Sequence, residues 1–373
     1  MNPQDVFCPN IACAARGQAG RGNIHVHSQK EKRYICQECE QTFRTTKGTI
    51  FYRLKTDPAT VMLVITLLAY GCPVPAIVQA FGLDERTVKK WWQRAGAHCQ
   101  AVHAHLVESS QLDLQQVQAD EIKVKMQQGS VWMALVMMVS TRLWLGGALS
   151  AQRDKALIGQ IAALVRQIAR PSPLLIAVDG LVSYVDAFQK AFRSPLPRWG
   201  QPGRPRLVPW PDIAIVQVVK QRTAEQFSIQ RRIVQGAQHL VQRRLTATQG
   251  GGVINTAYIE RLNATFRQRL VWLHRRTRCL ALQTQTLVAG MYIVGCFYNF
   301  CDVHHSLRQK LWTGDRSYHW VPRTPAMAAG LTQRIWLPSD LFWFKVPPPR
   351  WQPPKRHGRP SKDLLRLIQK WCT

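Results

Sequence analysis

The segment PLLIAVDG, residues 173–180, holds five consecutive apolar residues between Pro173 and Asp179. A strand with one face in water alternates apolar and polar side chains, so a run without alternation predicts a central strand covered on both faces. The run ends at Asp179 and Gly180, and sheet proteins commonly place functional groups at the ends of such strands. The segment therefore predicts an α/β fold with a candidate site at this strand end.

The surrounding sequence extends this prediction in both directions. Three earlier apolar runs with short turns between them predict an antiparallel meander: VQADEIKVKM (117–126), SVWMALVMMVS (130–140) and LWLGGALS (143–150). The run 154–169 has the spacing of an amphipathic helix. Residues 212–221, DIAIVQVVKQ, predict a further buried strand, and a helix follows it. The order of three strands, helix, strand, helix, strand and helix predicts a mixed sheet with helical cover.

The charge balance indicates the class of partner. Lysine and arginine total 50 of the 373 residues against 21 acids, a net charge of +29. Such a charge opposes compaction through self-repulsion unless a polyanion neutralises it, which favours nucleic acid as the partner, with an anionic membrane as the second candidate. No apolar run reaches the roughly 18 residues of a membrane span, and the segment MNPQDVFCPN has no apolar signal core. We therefore expect an intracellular protein that binds nucleic acid and has no membrane partner.

Two short-spaced cysteine pairs occur in the first segment, residues 1–56. The pairs enclose four and two residues and lie 22 residues apart: Cys8 and Cys13, then Cys36 and Cys39. Two such turns suit tetrahedral thiolate coordination of one structural Zn²⁺, which would replace a core that so short a segment could scarcely build. We predict a zinc-ribbon module that binds DNA. The alternatives are four unconnected buried thiols, or His25 or His27 in place of one ligand.

Residues 57–108 have the pattern of a helix-turn-helix domain. Asp57 is a suitable N-cap for a first helix, and a short helix is predicted over Val74–Phe81, followed by a turn at Gly82. A second helix is predicted from about Asp84 to Ala95. Its exposed basic residues suit DNA phosphates or base edges: Arg86, Lys89, Lys90 and Arg94. An ordinary helical hairpin is the alternative, because this pattern is common.

Three acids occupy unusual positions. Asp120 lies inside an apolar strand, where an acid is costly without a partner or a metal. Asp179 ends the predicted central strand. Glu260 is the only acid between Gln226 and Cys301, a window that contains ten arginines.

The helix that carries Glu260 has one apolar and one polar face. If it begins near Thr256, a packed stripe forms from Ile259, Leu262 and Phe266. The polar face then carries Glu260, Asn263 and Arg267, and it could face the strand ends.

The three carboxylates could together bind two Mg²⁺ ions about 3.5–4 Å apart, with Mn²⁺ as an alternative. Such a pair activates an attacking water or hydroxyl and stabilises the leaving oxygen of a phosphodiester, while nearby arginines hold the DNA backbone. The alternative is ordinary pairing of each acid. Glu260 would pair with Arg261 or Arg267, Asp179 would cap a helix, and Asp120 would pair with Lys123.

The blocks ADE, WMAL, AVDG and NTAYIERLNATFRQRL are similar to those of the DDE transposases of the insertion-sequence-one family. The strand order resembles the ribonuclease H-like fold, and the resemblance spans about residues 5–310. It implies a catalytic domain over 112–310, with Asp120, Asp179 and Glu260 as a metal-binding catalytic triad. The predicted fold class is thus an α/β, ribonuclease H-like mixed sheet preceded by the zinc ribbon and the helix-turn-helix. Residues 311–373, a basic tail rich in proline and tryptophan, depart from the family pattern.

The resemblance also implies the reaction and its partners. The reaction is metal-dependent cleavage at transposon ends and joining of the freed 3′ hydroxyl to target DNA. The implied partners are double-stranded DNA, as terminal inverted repeats and target DNA, and at least a second copy of the chain. The implied location is the cytoplasm of a prokaryote, in association with the nucleoid. Arg261, Asn263 and Arg267 would contact DNA near the triad. Two alternatives remain open, a DNA-binding regulator whose nuclease-like domain is inactive and a nuclease that only hydrolyses.

Overall fold

The computed structural model describes residues 2–198, 200, 203–222, 227–314, 317–355 and 358–372. The chain forms two compact units. The terminal unit combines Met1–Val61 with Phe342–Thr373, and the central unit is Met62–Leu341. Across the described residues, no helix has both the length and the apolar character needed to span a bilayer.

Strands and helices come mostly in runs along the described chain, and single elements alternate only from α4 to α5. The strands are β1 Ile24–Ser28, β2 Arg33–Cys36, β3 Thr42–Arg44, β4 Gln116–Lys125, β5 Ser130–Met138, β6 Trp144–Ser150, β7 Leu174–Asp179, β8 Arg193–Pro195, β9 Leu207–Pro209, β10 Ile213–Arg222, β11 Phe227–Gln235, β12 Gln309–Trp312 and β13 Tyr318–Val321. The α-helices are α1 Pro58–Ala69, α2 Val74–Phe81, α3 Glu85–His103, α4 Lys155–Ile168, α5 Val182–Ala191, α6 Gln238–Gln249, α7 Ala257–Arg269, α8 Thr284–Cys296, α9 Pro325–Ala328, α10 Pro338–Trp343 and α11 Lys362–Trp371.

The central unit is built on a six-stranded mixed sheet in the order β11-β10-β7-β4-β5-β6. Strands β4, β7 and β10 are parallel, whereas β5 is antiparallel to both of its neighbours and β11 is antiparallel to β10. This arrangement confirms the predicted mixed α/β sheet with helices. Strand β11 and helix α6 were absent from the predicted order, because β11 has an exposed, basic sequence without the apolar signal of the other strands.

Strand β7 confirms the prediction made from its unbroken apolar run. Every residue from Leu174 to Val178 is buried, and β7 lies between β10 and β4. Leu175 and Ala177 belong to one apolar cluster with Leu240 and Val241 of α6. The alternate residues of the strand point to the opposite face, so both faces of β7 are covered.

The predicted helix-turn-helix elements form as helices α1 to α3. The Asp57 carboxylate accepts the backbone N–H of Ala59 (3.0 Å), so it caps α1 as predicted. Helix α2 has the predicted bounds and ends at Gly82, whose φ of 60° is left-handed. Helix α3 is longer than predicted, because Gly96 lies in the helix and does not end it. A Cβ at Gly96 would lie 2.3 Å from the Cβ of Ala289, so this glycine permits close packing of α3 on α8.

The terminal unit contains residues from both ends of the chain. Strands β1, β2 and β3 form an antiparallel sheet, and Tyr34 and Phe43 lie in its apolar core. Trp371 of α11 is 1% exposed and belongs to the same cluster. Its carbonyl accepts a hydrogen bond from Gln18 Nε2 (2.8 Å), and Lys370 pairs with Glu38. The last helix of the predicted tail is therefore part of the core of this unit.

We expect Trp371→Ala to lower the free energy of unfolding of the terminal unit by about 3–5 kcal/mol, because the change leaves a cavity in a small core. Hydrogen exchange of the β2 backbone amides would measure this loss as faster exchange. Leu365→Ala is the matched control, since it alters a side chain of the same helix that is 46% exposed. Unchanged amide protection in Trp371→Ala would refute the structural role of α11.

Candidate functional site

The register between β4 and β7 brings two of the predicted acids together. Gln118 of β4 pairs with Ala177 of β7 in parallel register. Two residues further along each strand, and therefore on the same face, are Asp120 and Asp179. Both side chains line an open cleft of about 820 Å³.

Helix α7 brings the third predicted acid to the same cleft. Glu260 lies in the first turn of α7, and its carboxylate accepts a hydrogen bond from Thr256 Oγ1 (2.9 Å) and pairs with Lys220 of β10. The packed stripe of α7 forms from the predicted residues: Ile259, Leu262 and Phe266 are buried. The three acids thus come from three separate elements and line one cleft.

A row of polar side chains on β4 fixes the positions of Asp120 and of helix α7. This row was not predicted from the sequence. Gln118 is fully buried; its Oε1 accepts the backbone N–H of Ile259 (3.0 Å), and its Nε2 donates to the carbonyl of Asn255 (2.8 Å). Asn263 Nδ2 donates to Asp120 Oδ2 (2.8 Å). These bonds tie the start of α7 to β4. The available signal was the alternation of polar residues Gln116, Gln118 and Asp120 within an apolar strand.

The electrostatic environment of Asp120 favours a cation or a proton. Burial raises the pKa of the Asp120 carboxyl above its usual value, and the nearby charges of Asp179 and Glu260 raise it further. The backbone N–H of Glu121 opposes the shift by donating to Asp120 Oδ1 (2.9 Å). A positive charge in the cleft would relieve the remaining repulsion between the acids.

Arg153, in the turn between β6 and α4, supplies such a charge. Its Nε and Nη2 donate to the two carboxylate oxygens of Glu121 (3.2 and 3.0 Å), and Nη2 also donates to Asp179 Oδ2 (2.6 Å). Burial lowers the pKa of Arg153, but the two carboxylates outweigh burial and raise it above the usual value. Arg153 was not predicted as a site residue, because its neighbouring sequence does not distinguish it from other surface arginines.

Glu121 lies nearer to the site than strand alternation predicts. Consecutive strand residues face opposite ways, so Glu121 is expected to point away from Asp120. In the structure, oxygens of Asp120, Glu121 and Asp179 all lie within 4.8 Å of one another. The Glu121 side chain is fully buried, and Arg153 holds its carboxylate beside Asp179. This set of carboxylate oxygens is of the kind that hard divalent cations prefer. Glu260 does not belong to this set, although it lines the same cleft.

None of the pairings weighed as alternatives for the acids forms as stated. Glu260 pairs with Lys220 and not with Arg261 or Arg267. Lys123 lies over the ring of Trp132, 5.8 Å from its centroid.

Asp179 comes closest to its alternative role as a cap. Its Oδ1 accepts the backbone N–H of Leu181 (2.9 Å), the residue just before α5.

The predicted DNA contacts occupy two places. On α3, Arg86, Lys89 and Lys90 are exposed, whereas Arg94 is half-buried and burial lowers its pKa. Lys89 also pairs with Glu85 one turn earlier (2.7 Å).

On α7, the three predicted contacts differ in exposure. Arg261 is exposed and Arg267 lines the cleft, where burial and the charge of Arg275 lower its pKa. Asn263 is 1% exposed and is directed at Asp120.

The four predicted cysteines form one cluster. Their sulfur atoms lie within 4.8 Å of one another: Cys8, Cys13, Cys36 and Cys39. The Cys8–Cys39 distance is 3.7 Å and the Cys13–Cys36 distance is 3.9 Å. Four thiolates about 2.3 Å from a tetrahedral zinc ion would be about 3.8 Å apart, so the cluster could bind one zinc ion.

The surroundings of the cluster agree with a metal site. Burial raises the pKa of the Cys13 thiol to about 12, and the neighbouring Cys36 adds to the shift. A bound cation would reverse this shift by stabilising the thiolates. Asn23 Nδ2 lies 3.3 Å from Cys36 Sγ as a donor. Neither alternative ligand, His25 or His27, belongs to the cluster.

Comparison with known proteins adds no assignment. No protein-family model matches the sequence, and a search of curated proteins finds no significant match. Function is therefore inferred from the geometry and the chemistry of the described residues.

We expect purified protein to contain about one zinc ion per chain and Cys36→Ser to lose it, because three thiolates and a hydroxyl bind zinc far more weakly than four thiolates. Elemental analysis after gel filtration measures the stoichiometry. Cys279→Ser is the matched control, since Cys279 is exposed and lies outside the cluster. Wild-type protein that contains no zinc after expression in zinc-supplemented medium would rule out the site.

Proposed function

We propose that the chain is a DNA transposase that cuts at the ends of an insertion sequence and joins the freed 3′ hydroxyl to target DNA. The observation that carries this proposal is the convergence of Asp120, Asp179 and Glu260, from β4, β7 and α7, on one cleft. Ordinary surface pairing does not require three acids from separate elements to meet, whereas phosphodiester chemistry with divalent ions does.

The strand order is a second line of support. Within the series β6-β5-β4-β7-β10, only β5 runs opposite to the others. This order supports the ribonuclease H-like classification that the sequence resemblance implies, with β11 as an additional edge strand. The resemblance to insertion-sequence-one transposases carries the further step from a nuclease-like fold to transposition.

The walls of the cleft support a polyanionic substrate. Its lining includes four basic side chains: Arg153, Lys220, Arg267 and Arg275. Arginine and lysine in such an arrangement bind phosphate oxygens. A cleft lined by both acids and bases suits a substrate whose negatively charged backbone must approach a carboxylate cluster.

In this proposal Asp120, Asp179 and Glu260 would hold Mg²⁺ or Mn²⁺. The ions, when bound, would activate the attacking oxygen and stabilise the leaving oxygen of the phosphodiester. The chain's own groups prepare the site: Asn263 orients the carboxylate of Asp120, and Arg153 holds that of Asp179.

The other modules would supply DNA recognition. The zinc-ribbon module and helices α1–α3 would bind the terminal repeats, and a second copy of the chain would bring the second active site that two DNA ends require. A DNA-binding regulator would need the modules but not the acid cluster. A nuclease would use the cluster without joining strands.

We expect Asp179→Asn to reduce cleavage and joining more than about a hundredfold, because it removes the charge of a direct metal ligand. Loss of a residue that only supports a metal ligand costs up to about a hundredfold, so loss of the ligand's charge should cost more. The assay uses a labelled duplex from the DNA that flanks the coding sequence, a supercoiled target plasmid and Mg²⁺. Asp186→Asn is the control, since Asp186 pairs with Lys155 and lies outside the cleft lining.

The products of this assay separate the candidate functions. Joined product supports a transposase, and nicks without joining support a nuclease. Binding of the duplex without any cleavage by wild-type protein supports the regulator. If Asp179→Asn cleaves as fast as wild type while circular dichroism shows the same fold, the assignment of the three acids is wrong.

We expect the double variant Arg86→Ala and Lys90→Ala to bind duplex DNA about tenfold more weakly near physiological salt. The slope of log affinity against log salt concentration should also fall in magnitude by about two, because each lost phosphate contact contributes close to one to that slope. Fluorescence anisotropy over a range of salt concentrations measures both quantities. The matched control replaces Arg170 and Lys190, exposed residues outside α2 and α3, and removes the same charge. A control with the same loss would show that α3 has no specific contact with DNA.

A further inference from the structure

After the site, the chain forms a two-stranded antiparallel ribbon, β12 and β13, in which every residue is exposed. The exposed side chains include large ones: Trp312 is 63% exposed, and Tyr318 and Trp320 are each 42% exposed. An isolated two-stranded ribbon is only marginally stable in water, and exposed aromatic rings add nothing to a core. Contacts between these rings help to hold the two strands together, and their exposed surface is available to a ligand.

The register places the aromatic side chains on one face. Lys310 is directly opposite Trp320, and Trp312 is directly opposite Tyr318. Directly opposed residues share a face of the ribbon, and so do residues two apart on one strand. The ring centroids of Trp312 and Tyr318 are 5.5 Å apart and those of Tyr318 and Trp320 are 5.7 Å apart. The three rings form a continuous row.

Two cations accompany this row. Lys310 Nζ lies 4.1 Å from the centroid of the Tyr318 ring, and Arg308 Cζ lies 4.0 Å from that of the Trp320 ring. Neither strand contains an acid. The face therefore combines exposed aromatic rings, which meet edge to face, with positive charge. This combination complements a ligand that has both planar rings and negative charge.

The base of the ribbon is fixed to the central unit. The backbone N–H of His304 donates to the carbonyl of Arg323 (3.0 Å), and Arg323 Nη2 donates to the carbonyl of Met327 (2.9 Å). The ring of His304 also contacts that of Tyr298, with centroids 4.6 Å apart. The aromatic face is thus presented from an anchored position.

We propose that the face formed by Arg308, Lys310, Trp312, Tyr318 and Trp320 binds single-stranded DNA by stacking on unpaired bases. Aromatic rings stack on any exposed base, whereas the bases of a duplex are already stacked on each other. Arg308 and Lys310 contact the phosphates beside the stacked bases. The inference rests on the proposed function in taking DNA as the partner, and it adds unpaired strands as the ligand of a second site.

The test uses the full-length protein and a labelled thymidine oligonucleotide, followed by fluorescence anisotropy. We expect the double variant Trp312→Ala and Trp320→Ala to bind the single strand at least tenfold more weakly, with unchanged affinity for a duplex. The corresponding double change to phenylalanine should restore most of the affinity, because a ring is retained. Lys310→Ala should lower the salt slope by about 0.7, the value for one phosphate contact on a single strand.

Leu337→Ala is the control for loss of an exposed apolar side chain, since Leu337 is 63% exposed and lies outside the ribbon. Single-strand affinity that is unchanged in the double alanine variant would overturn the proposal. A change in assembly state, measured by sedimentation, without a change in single-strand affinity would also overturn it and would identify the face as a contact between copies.

The two proposals fail in different ways. Asp179→Asn is scored by cleavage and joining, whereas the ribbon variants are scored by affinity for the single strand. If wild-type protein neither cuts nor joins DNA but the ribbon variants lose single-strand binding, the transposase proposal fails and the ribbon proposal stands. If cleavage and joining occur but the ribbon variants bind normally, only the ribbon proposal fails.

Discussion

The arrangement of the cleft depends on one buried amide, that of Gln118. It accepts the N–H of Ile259 and donates to the carbonyl of Asn255, so it holds both backbone groups that flank the start of α7. A buried donor or acceptor without a partner costs about 1–3 kcal/mol, which makes any shift of α7 along β4 unfavourable. Two residues further along the same face of β4, Asp120 accepts from Asn263. The strand that carries one acid thus also determines where the helix that carries Glu260 begins.

The pairing of parallel strands imposes an electrostatic cost on this design. The parallel pairing of β4 with β7 brings Asp120 and Asp179 to the same cleft. Burial raises the pKa of Asp120, and the negative charges of Asp179 and Glu260 raise it further. The fold offsets the cost with Arg153, whose guanidinium binds both Glu121 and Asp179. In the proposed function, a bound divalent cation would offset the repulsion that remains between the acids.

Local sequence patterns predicted the helices and strands. The features that were not predicted depend on contacts between residues far apart in sequence. The unbroken run of β7, the bounds of α2 and the packed stripe of α7 are all confirmed, because each depends on neighbouring residues. The hydrogen bonds of Gln118 and the placement of Trp371 in the core of the terminal unit join segments far apart in sequence and have no periodic signal. Helix α3 continues beyond its predicted end near Ala95, and Gly96 packs closely against Ala289 of α8, a contact between distant segments that local sequence does not indicate.

Glu260, the single acid in the arginine-rich segment, forms an ion pair with Lys220 of β10. Glu260 and Lys220 are each close to half exposed, so their ion pair contributes only about 0–1 kcal/mol. Arg153 is held more tightly, because it binds the carboxylate of Glu121, whose side chain is fully buried, and its release would leave that charge unpaired. In the proposed function, Glu260 would exchange Lys220 for a divalent ion at little cost, and the released lysine would turn to a phosphate of the polyanion. Arg153 would meanwhile keep Glu121 and Asp179 in place.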